Sequence, residues 1–253
     1  MRSTAEPSPA QTRRAAALRA ASQHNYTAQR VLRALEVIVL CPTSAPAVAA
    51  ALGVHPRTAR RILRTLTSEQ YVEARAGRGA AAHQYQPTVR LLAMAAQLAP
   101  RLPLVQNGRR AVREIEQQTS LTAYLAIPCY EDVLVIACTG KRALRTWATI
   151  PAHADAAGRV LLAHREHWRR GLAQATPDPA LDDEQAANIA TRGHALIAGA
   201  RDQAGSIAVA VPTTARPIAA LALRGTSDEL NASEQPLADL LHRKAAQIAA
   251  GQP

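Results

Sequence analysis

Apolar residues follow a helical period between positions 43 and 66, in the segment TSAPAVAAALGVHPRTARRILRTL. Its first half predicts a helix that begins at Thr43 or Ser44, whose hydroxyl can cap free backbone amides, and ends at Gly53. Its second half predicts a helix that begins at Pro56. The apolar residues of this second helix recur at i, i+3, i+4 and i+7, which places them on one face: Ala59, Ile62, Leu63 and Leu66.

Arginines occupy most of the remaining positions of the second helix: Arg57, Arg60, Arg61 and Arg64. Guanidinium groups bind phosphates and pair with guanine edges in the major groove, so the two helices are interpreted as a helix-turn-helix that binds double-stranded DNA. Arg57, Arg60 and Arg61 are expected to contact bases and Arg64 to contact phosphate. The alternative is an ordinary amphipathic helix with a solvated basic face.

The residues after the second helix predict a β-hairpin. Residues 71–75 (YVEAR) and 83–87 (HQYQP) have the composition of short strands, and the intervening AGRGAAA contributes two glycines to a loop. The hairpin converts the motif into a winged helix-turn-helix. Arg75 and Arg78 would then lie where they can contact the phosphate backbone.

Helical patterns flank this motif on both sides. Residues 26–40 have apolar positions at helical spacing and predict the first helix of a DNA-binding domain over 25–88. Residues 89–98 (VRLLAMAAQL) are apolar on nearly every side, so a linker helix over 89–100 is expected to pack against another subunit or both domains. Residues 1–24 are expected to form a flexible basic arm.

Residues 101–253 alternate between strand and helix patterns. Strands are predicted at 121–127, 133–139, 144–150, 206–211 and 218–223, and helices at 104–118, 156–172, 182–191 and 234–250. Strand pairs separated by helices indicate an α/β chain of the α+β kind, with an antiparallel sheet flanked by helices.

Composition and charge refine this picture. A length of 253 residues favours two domains, and 48% hydrophobic residues exclude wholesale disorder. The first 100 residues contain 13 arginines and four acidic residues, so most of the net charge of +11 lies beside the helix-turn-helix, as expected for a domain that binds a polyanion. A basic membrane-binding face is the competing explanation. No membrane span and no secretory signal are evident, which predicts a cytoplasmic protein.

The chain resembles the IclR family of bacterial transcriptional regulators over about residues 26–250. The resemblance rests on four segments in order: AQRVLRALEVI, VAAALGVHPRTARRILRTL, IPAHADAAGRVLLA and GSIAVAVPTTARPIAALALRG. It implies a GAF-like carboxy-terminal domain that binds a small effector, and a homodimer or homotetramer that binds palindromic operators. It also adds His55 and Thr58 to the recognition-helix region, beside Thr43 and Ser44 at the preceding helix start.

The same resemblance assigns the effector site to seven positions: Ile150, Ala156, Ala157, Gly158, Ala208, Ala222 and Arg224. Backbone amides at a helix start near 156 could bind a carboxylate. Family members that bind organic acids have polar side chains on the closing strands, whereas this chain has Ala208 and Ala222. Two hypotheses follow: a bulkier, more apolar effector, or a domain that has lost ligand binding and serves dimerisation.

Enzymatic and metal sites find little support. His164 and His167 lack a third ligand, and His153, Asp155 and Ser206 lack the G-x-S-x-G turn of a hydrolase. No cofactor, metal or enzymatic activity is therefore expected. The three cysteines are expected to be buried thiols, and Trp147 and Trp168 core or interface residues.

Two further function classes stay open. One is a small-molecule-binding or catalytic protein whose basic amino-terminal region is accessory, and the other is an architectural DNA-binding protein without sequence preference.

Overall fold

The computed structural model describes residues 26–76, 83–139, 144–165, 169, 181–199, 204–212 and 218–251. The chain divides into two compact units, Met1–Leu98 and Ala99–Pro253. The predicted arm over 1–24 lies outside the described residues. No helix in the described part of the chain combines the length and apolarity that crossing a membrane would need.

The described part of the first unit consists of four helices and a two-stranded antiparallel hairpin. In chain order these are α1 (Tyr26–Leu40), α2 (Ala45–Leu52), α3 (Pro56–Ser68), β1 (Val72–Ala76), β2 (His83–Pro87) and α4 (Val89–Leu98). Their core is built from apolar side chains of α1, α2, α3 and β1, among them Ile38, Val48, Leu63 and Val72. The helix-turn-helix and hairpin that the apolar periodicity predicts are confirmed.

Local interactions fix the start of each short helix. The Ser44 hydroxyl accepts a hydrogen bond from the Ala47 N–H at 3.4 Å, so Ser44 is the N-cap of α2. Gly53 adopts φ +60°, a left-handed conformation that glycine reaches without steric cost, and ends α2. His55 caps α3, because its Nδ1 accepts from the Arg57 N–H at 3.2 Å.

Thr43 joins the helix pair to the hairpin. Its N–H donates to the Tyr85 carbonyl at 3.1 Å, and its carbonyl accepts from the Tyr85 N–H at 2.8 Å. The residue before the α2 cap therefore extends the sheet of the hairpin by one bridge.

The second unit contains one six-stranded antiparallel sheet. Its strands are β3 (Thr122–Cys129), β4 (Asp132–Cys138), β5 (Thr149–Pro151), β6 (His194–Ile197), β7 (Gly205–Ala210) and β8 (Ala220–Gly225), in the spatial order β5-β4-β3-β8-β7-β6. The described helices of this unit are α5 (Pro103–Thr119), α6 (Ala156–Ala163), α7 (Asp183–Arg192), α8 (Ser227–Ala232) and α9 (Glu234–Ala250). The predicted fold class is confirmed.

The two faces of this sheet carry different side chains. One face presents large aliphatic residues, such as Leu125, Ile207 and Leu221, which pack with α5 and α9. The other face packs with α6 and is lined by small residues and one tyrosine: Tyr124, Ala126, Ala208, Ala220 and Ala222. Because successive side chains of a strand alternate between faces, these two sets interleave along the same strands.

Several local predictions were wrong. The strand predicted over 144–150 is reduced to β5, because Trp147 adopts φ +73°, which is incompatible with an extended strand. Trp147 is also 53% exposed, which excludes the core and leaves the interface role of the prediction untested, and Cys41 is exposed rather than buried. The helix predicted over 156–172 ends at Ala163, and residues 166–168 and 170–180, including His167 and Trp168, lie outside the described residues.

Candidate functional site

The recognition helix α3 is anchored by one face and open on the rest. Its apolar stripe is buried at 0 to 4% exposure in Ala59, Ile62, Leu63 and Leu66. The four arginines that share the helix are exposed, and no ion pair joins any of them to another described residue: Arg57, Arg60, Arg61 and Arg64. The helix thus presents guanidinium groups that are available to an external anion.

Most of the other residues predicted for this region form hydrogen bonds with backbone groups of the chain. Ser44 and His55 cap the two helices, and Thr43 pairs with Tyr85. Thr58 is half-buried on α3. A duplex contact by any of these four residues stays a prediction.

The hairpin separates its charged residues from the side that faces α3. Arg75 forms an ion pair with Glu73 at 3.1 Å, and Gln86 Nε2 donates to the same carboxylate at 2.5 Å. These side chains share one face of the hairpin. The register pairs Ala74 with Tyr85 and Ala76 with His83, which places those four residues on the opposite face. Arg78 lies outside the described residues.

A groove of about 540 Å³ runs between α3 and the hairpin. Its lining contains residues with two guanidinium groups, three hydroxyls and an imidazole: Arg60, Arg64, Thr67, Ser68, Ala74, His83 and Tyr85. The sequence analysis missed His83. The period-two alternation of the strand could have identified it, because His83 is two residues from Tyr85 and shares its face.

The second unit brings six of the seven predicted effector residues to the sheet face under α6. Ala208 and Ala222 are partners in the β7–β8 register, and Tyr124 lies opposite Ala222 on β3. Two residues further along β8, and on the same face, Arg224 lies between Thr122 and Ser206. Ala156, Ala157 and Gly158 form the first turn of α6.

Ile150 is the seventh predicted residue. It belongs to the edge strand β5, where it pairs with Val133 and packs half-buried against the same apolar cluster.

The first backbone amides of α6 donate hydrogen bonds to side chains of the same chain. Asp155 Oδ1 accepts from the Ala157 N–H at 2.9 Å and from the Tyr124 hydroxyl at 2.6 Å. Ser206 Oγ accepts from the Ala156 N–H at 2.9 Å. Two of the helix-start amides to which a carboxylate was predicted to bind, those of Ala156 and Ala157, are therefore already hydrogen-bonded.

The Tyr124 hydroxyl stays protonated in this environment. Burial raises the pKa of Tyr124 well above its ordinary value, and the neighbouring Asp155 carboxylate raises it further. The protonated phenol is the form that donates the hydrogen bond to Asp155 Oδ1.

The centre of this face is closely packed. Tyr124, Ala126, Ala208 and Ala222 are all 0% exposed. A methyl group added at Gly158 would overlap with the Ala152 carbonyl, so this turn also packs closely.

Two buried polar atoms remain without a hydrogen-bond partner among the described residues. These are Thr122 Oγ1 and Arg224 Nε, which lie on paired residues of β3 and β8. Both atoms could still form a hydrogen bond with another group. No group of three or more His, Cys, Asp or Glu residues in the described chain could hold a metal ion.

Comparison with known proteins gives the class of this architecture. No protein-family model and no curated protein sequence matches the chain. Solved structures do match it over nearly the whole length. An IclR family transcriptional regulator from Brucella abortus aligns with 92% of this chain and 94% of its own, at 16% identity and a TM-score of 0.70.

Two further matches have the same character. An IclR transcriptional regulator from Alicyclobacillus acidocaldarius covers 91% of this chain and 100% of its own, at 20% identity and a TM-score of 0.61. An IclR homologue from Microbacterium hydrocarbonoxydans, solved as a complex with 4-hydroxybenzoate, covers 89% and 98%, at 23% identity and a TM-score of 0.56. The chain therefore has the fold of IclR-type regulators, in both of its units.

The Tyr124→Phe substitution tests the buried hydrogen bond to Asp155. Loss of the hydroxyl leaves a buried carboxylate with one partner fewer and should lower the free energy of unfolding of the second unit by about 1 to 3 kcal/mol. Both tryptophans of the chain lie after residue 98, so urea denaturation followed by tryptophan fluorescence reports on that unit. Tyr85→Phe, in the first unit, is the control. An unchanged midpoint for Tyr124→Phe would contradict a structural role for this bond.

Proposed function

We propose that this chain is a sequence-specific DNA-binding transcriptional regulator of the IclR type. The observation that carries the proposal is the α3 surface, on which four exposed arginines lack ion pairs to described residues while the opposite stripe is buried. An α-helix of this kind fits the major groove of a DNA duplex, where arginine pairs with guanine O6 and N7. Such a regulator would act in the bacterial cytoplasm.

The arginines divide into expected base and phosphate contacts. The expected base contacts are Arg57, Arg60 and Arg61. The expected phosphate contacts are Arg64, Arg75 of the hairpin, and Arg78. Arg75 would have to exchange its Glu73 partner for the phosphate. The competing membrane-surface interpretation is weakened because the apolar stripe of α3 is committed to the protein core.

Self-association is the second part of the proposal. None of the ten residues of α4 is buried, and its apolar side chains remain open, with Val89 82% and Leu92 70% exposed. On α1, Leu32 and Leu40 are exposed as well. Apolar helix faces of this kind are typical of protein interfaces, so a second copy is the proposed occupant. A homodimer, or a homotetramer of such dimers, would present two recognition helices to the half-sites of a palindromic operator.

The second unit has two candidate roles. By likeness to the homologue that was solved with 4-hydroxybenzoate, it would bind a small effector that alters DNA affinity, which requires different effector affinities for the DNA-competent and incompetent arrangements. The fully buried face at Ala208 and Ala222 instead favours the alternative, a domain that keeps its fold for assembly and has lost effector binding. We infer the second role, since Asp155 and Ser206 already accept hydrogen bonds from the Ala157 and Ala156 amides at the start of α6.

Two other classes compete with the regulator. A small-molecule-binding or catalytic protein with an accessory basic region would not bind duplex DNA, and an architectural protein would bind all duplexes alike. The DNA-binding measurements below separate all three.

Arg61→Ala in the full chain should weaken binding to an operator obtained by selection of genomic fragments. Loss of a base contact costs about 1 to 3 kcal/mol and should relax the preference at one base pair. Fluorescence anisotropy with the operator, single-base variants and a scrambled duplex measures this. Arg243→Ala, an exposed arginine of α9, is the matched control and should bind as the wild type does. Equal wild-type affinity for all duplexes would support the architectural protein, and absent binding the small-molecule or catalytic one.

Leu92→Glu should shift the protein towards monomer in sedimentation velocity. A carboxylate within an apolar interface is buried without a partner, which strongly disfavours association. Gln97→Glu introduces the same charge at an exposed polar position of α4 and is the control. If the wild type sediments as a monomer, or if Leu92→Glu leaves the oligomer intact, α4 is not the interface.

Isothermal titration with a panel of aromatic and aliphatic acids should give no saturable heat with the wild-type protein. The reason is that the α6 terminus and the adjacent sheet face are filled by the chain's own side chains. The Microbacterium homologue titrated with 4-hydroxybenzoate is the positive control. Saturable heat from a compound that also changes operator affinity would establish effector modulation instead.

A further inference from the structure

We propose that the groove between α3 and the hairpin seats a backbone phosphate of the bound duplex, with Arg60, Arg64 and His83 as its ligands. The inference rests on the proposed DNA-binding function and deepens it. It adds His83 as a contact residue and moves Arg60 from the bases to the phosphate backbone.

The arginines of α3 form two rows in the structure. Arg60 and Arg64, four residues apart, both line the groove with the hairpin. Arg57 and Arg61, also four apart, belong to the neighbouring row and are not part of that lining. Since residues at i and i+4 share a helix face, each row acts as a unit. The row away from the hairpin is then the one that reads bases.

Three of the residues that line the groove carry groups that bind anions. The guanidinium groups of Arg60 and Arg64 are permanent cations, and the imidazole of His83 has an N–H donor even when it is neutral. The small side chain of Ala74 leaves room beside them. None of the lining residues carries a carboxylate, so nothing in this lining repels a negative charge.

The nearest hairpin carboxylate is held away from the groove. Glu73 bonds to Arg75 and Gln86 on the other face of the hairpin. The hairpin therefore keeps its acid and its paired arginine on one side and presents His83 on the other. This asymmetry favours an anion in the groove over one at Arg75.

A phosphodiester is the anion that the position indicates. When an α-helix lies in the major groove, the sugar-phosphate backbone flanks it, and most contacts to that backbone position the protein without reading sequence. The groove adjoins α3 along the row next to the base-reading row. A phosphate there would fix how far the helix is inserted and how it is rotated.

The test compares full-length variants on an operator and a scrambled duplex at several salt concentrations. Arg60→Ala should weaken the binding of both duplexes by the same factor. This factor is about tenfold for a lost hydrogen bond to a charged group. It should also reduce the slope of log K against log salt by about 1, as expected for one phosphate contact. His83→Ala should likewise weaken the binding of both duplexes equally. His83→Gln keeps an N–H donor and should restore most of the affinity.

Matched controls distinguish this inference from the proposed function. Arg61→Ala should weaken binding to the operator much more than binding to the scrambled duplex. Arg75→Ala should reduce the slope of log K against log salt less than Arg60→Ala does. If Arg60→Ala behaves as Arg61→Ala, or if Arg75→Ala has the larger slope effect, the groove does not hold the phosphate. If the wild type binds no duplex, the proposed function itself fails. Circular dichroism spectra confirm that each variant is folded.

Discussion

The rotation of α3 about its own axis is the constraint on which the amino-terminal unit depends. Four apolar side chains, from Ala59 to Leu66, fix that rotation by packing into a core shared with α1, α2 and β1. Burial of a large aliphatic side chain stabilises a fold by about 1.5 to 3 kcal/mol, so turning the helix would lose several such contributions at once. The direction of the arginines is therefore set by the leucines and isoleucine behind them. Their exposure follows from the core rather than from any ion pair.

The second unit depends on a comparable constraint at the start of α6. Asp155 caps the helix and also accepts the Tyr124 hydroxyl, while Ser206 binds the preceding amide. One carboxylate thus connects a helix terminus to the centre of the sheet. Two amides at this terminus are satisfied from within the chain, which leaves fewer of the unpaired amides that make helix starts good anion sites.

Much of the fold could be predicted because its signals are local. The periodicity of α1, α3 and α9 gave their bounds almost to the residue. The short strand β6 and the helix α8 were not predicted, since four to six residues carry too little pattern to stand out from a loop. Trp147 belongs to a different case. Its left-handed backbone cannot be read from a residue type that usually favours strands.

The candidate sites divide in the same way. The arginine rows of α3 follow from helical spacing, and the alanines on the sheet face follow from the family resemblance. The bonds that fill the buried face join residues 31 and 50 positions apart, Tyr124 with Asp155 and Ala156 with Ser206, and no local pattern contains them. The groove beside His83 likewise requires the three-dimensional pairing of a helix and a hairpin.

The backbone bridge between Thr43 and Tyr85 has a consequence for how the first unit meets a partner. Two main-chain hydrogen bonds join the hairpin to the residue before the α2 cap, so the helix pair and the hairpin are already connected before any encounter. A preorganised surface loses little conformational entropy on association. The binding free energy is therefore more favourable for the same contacts.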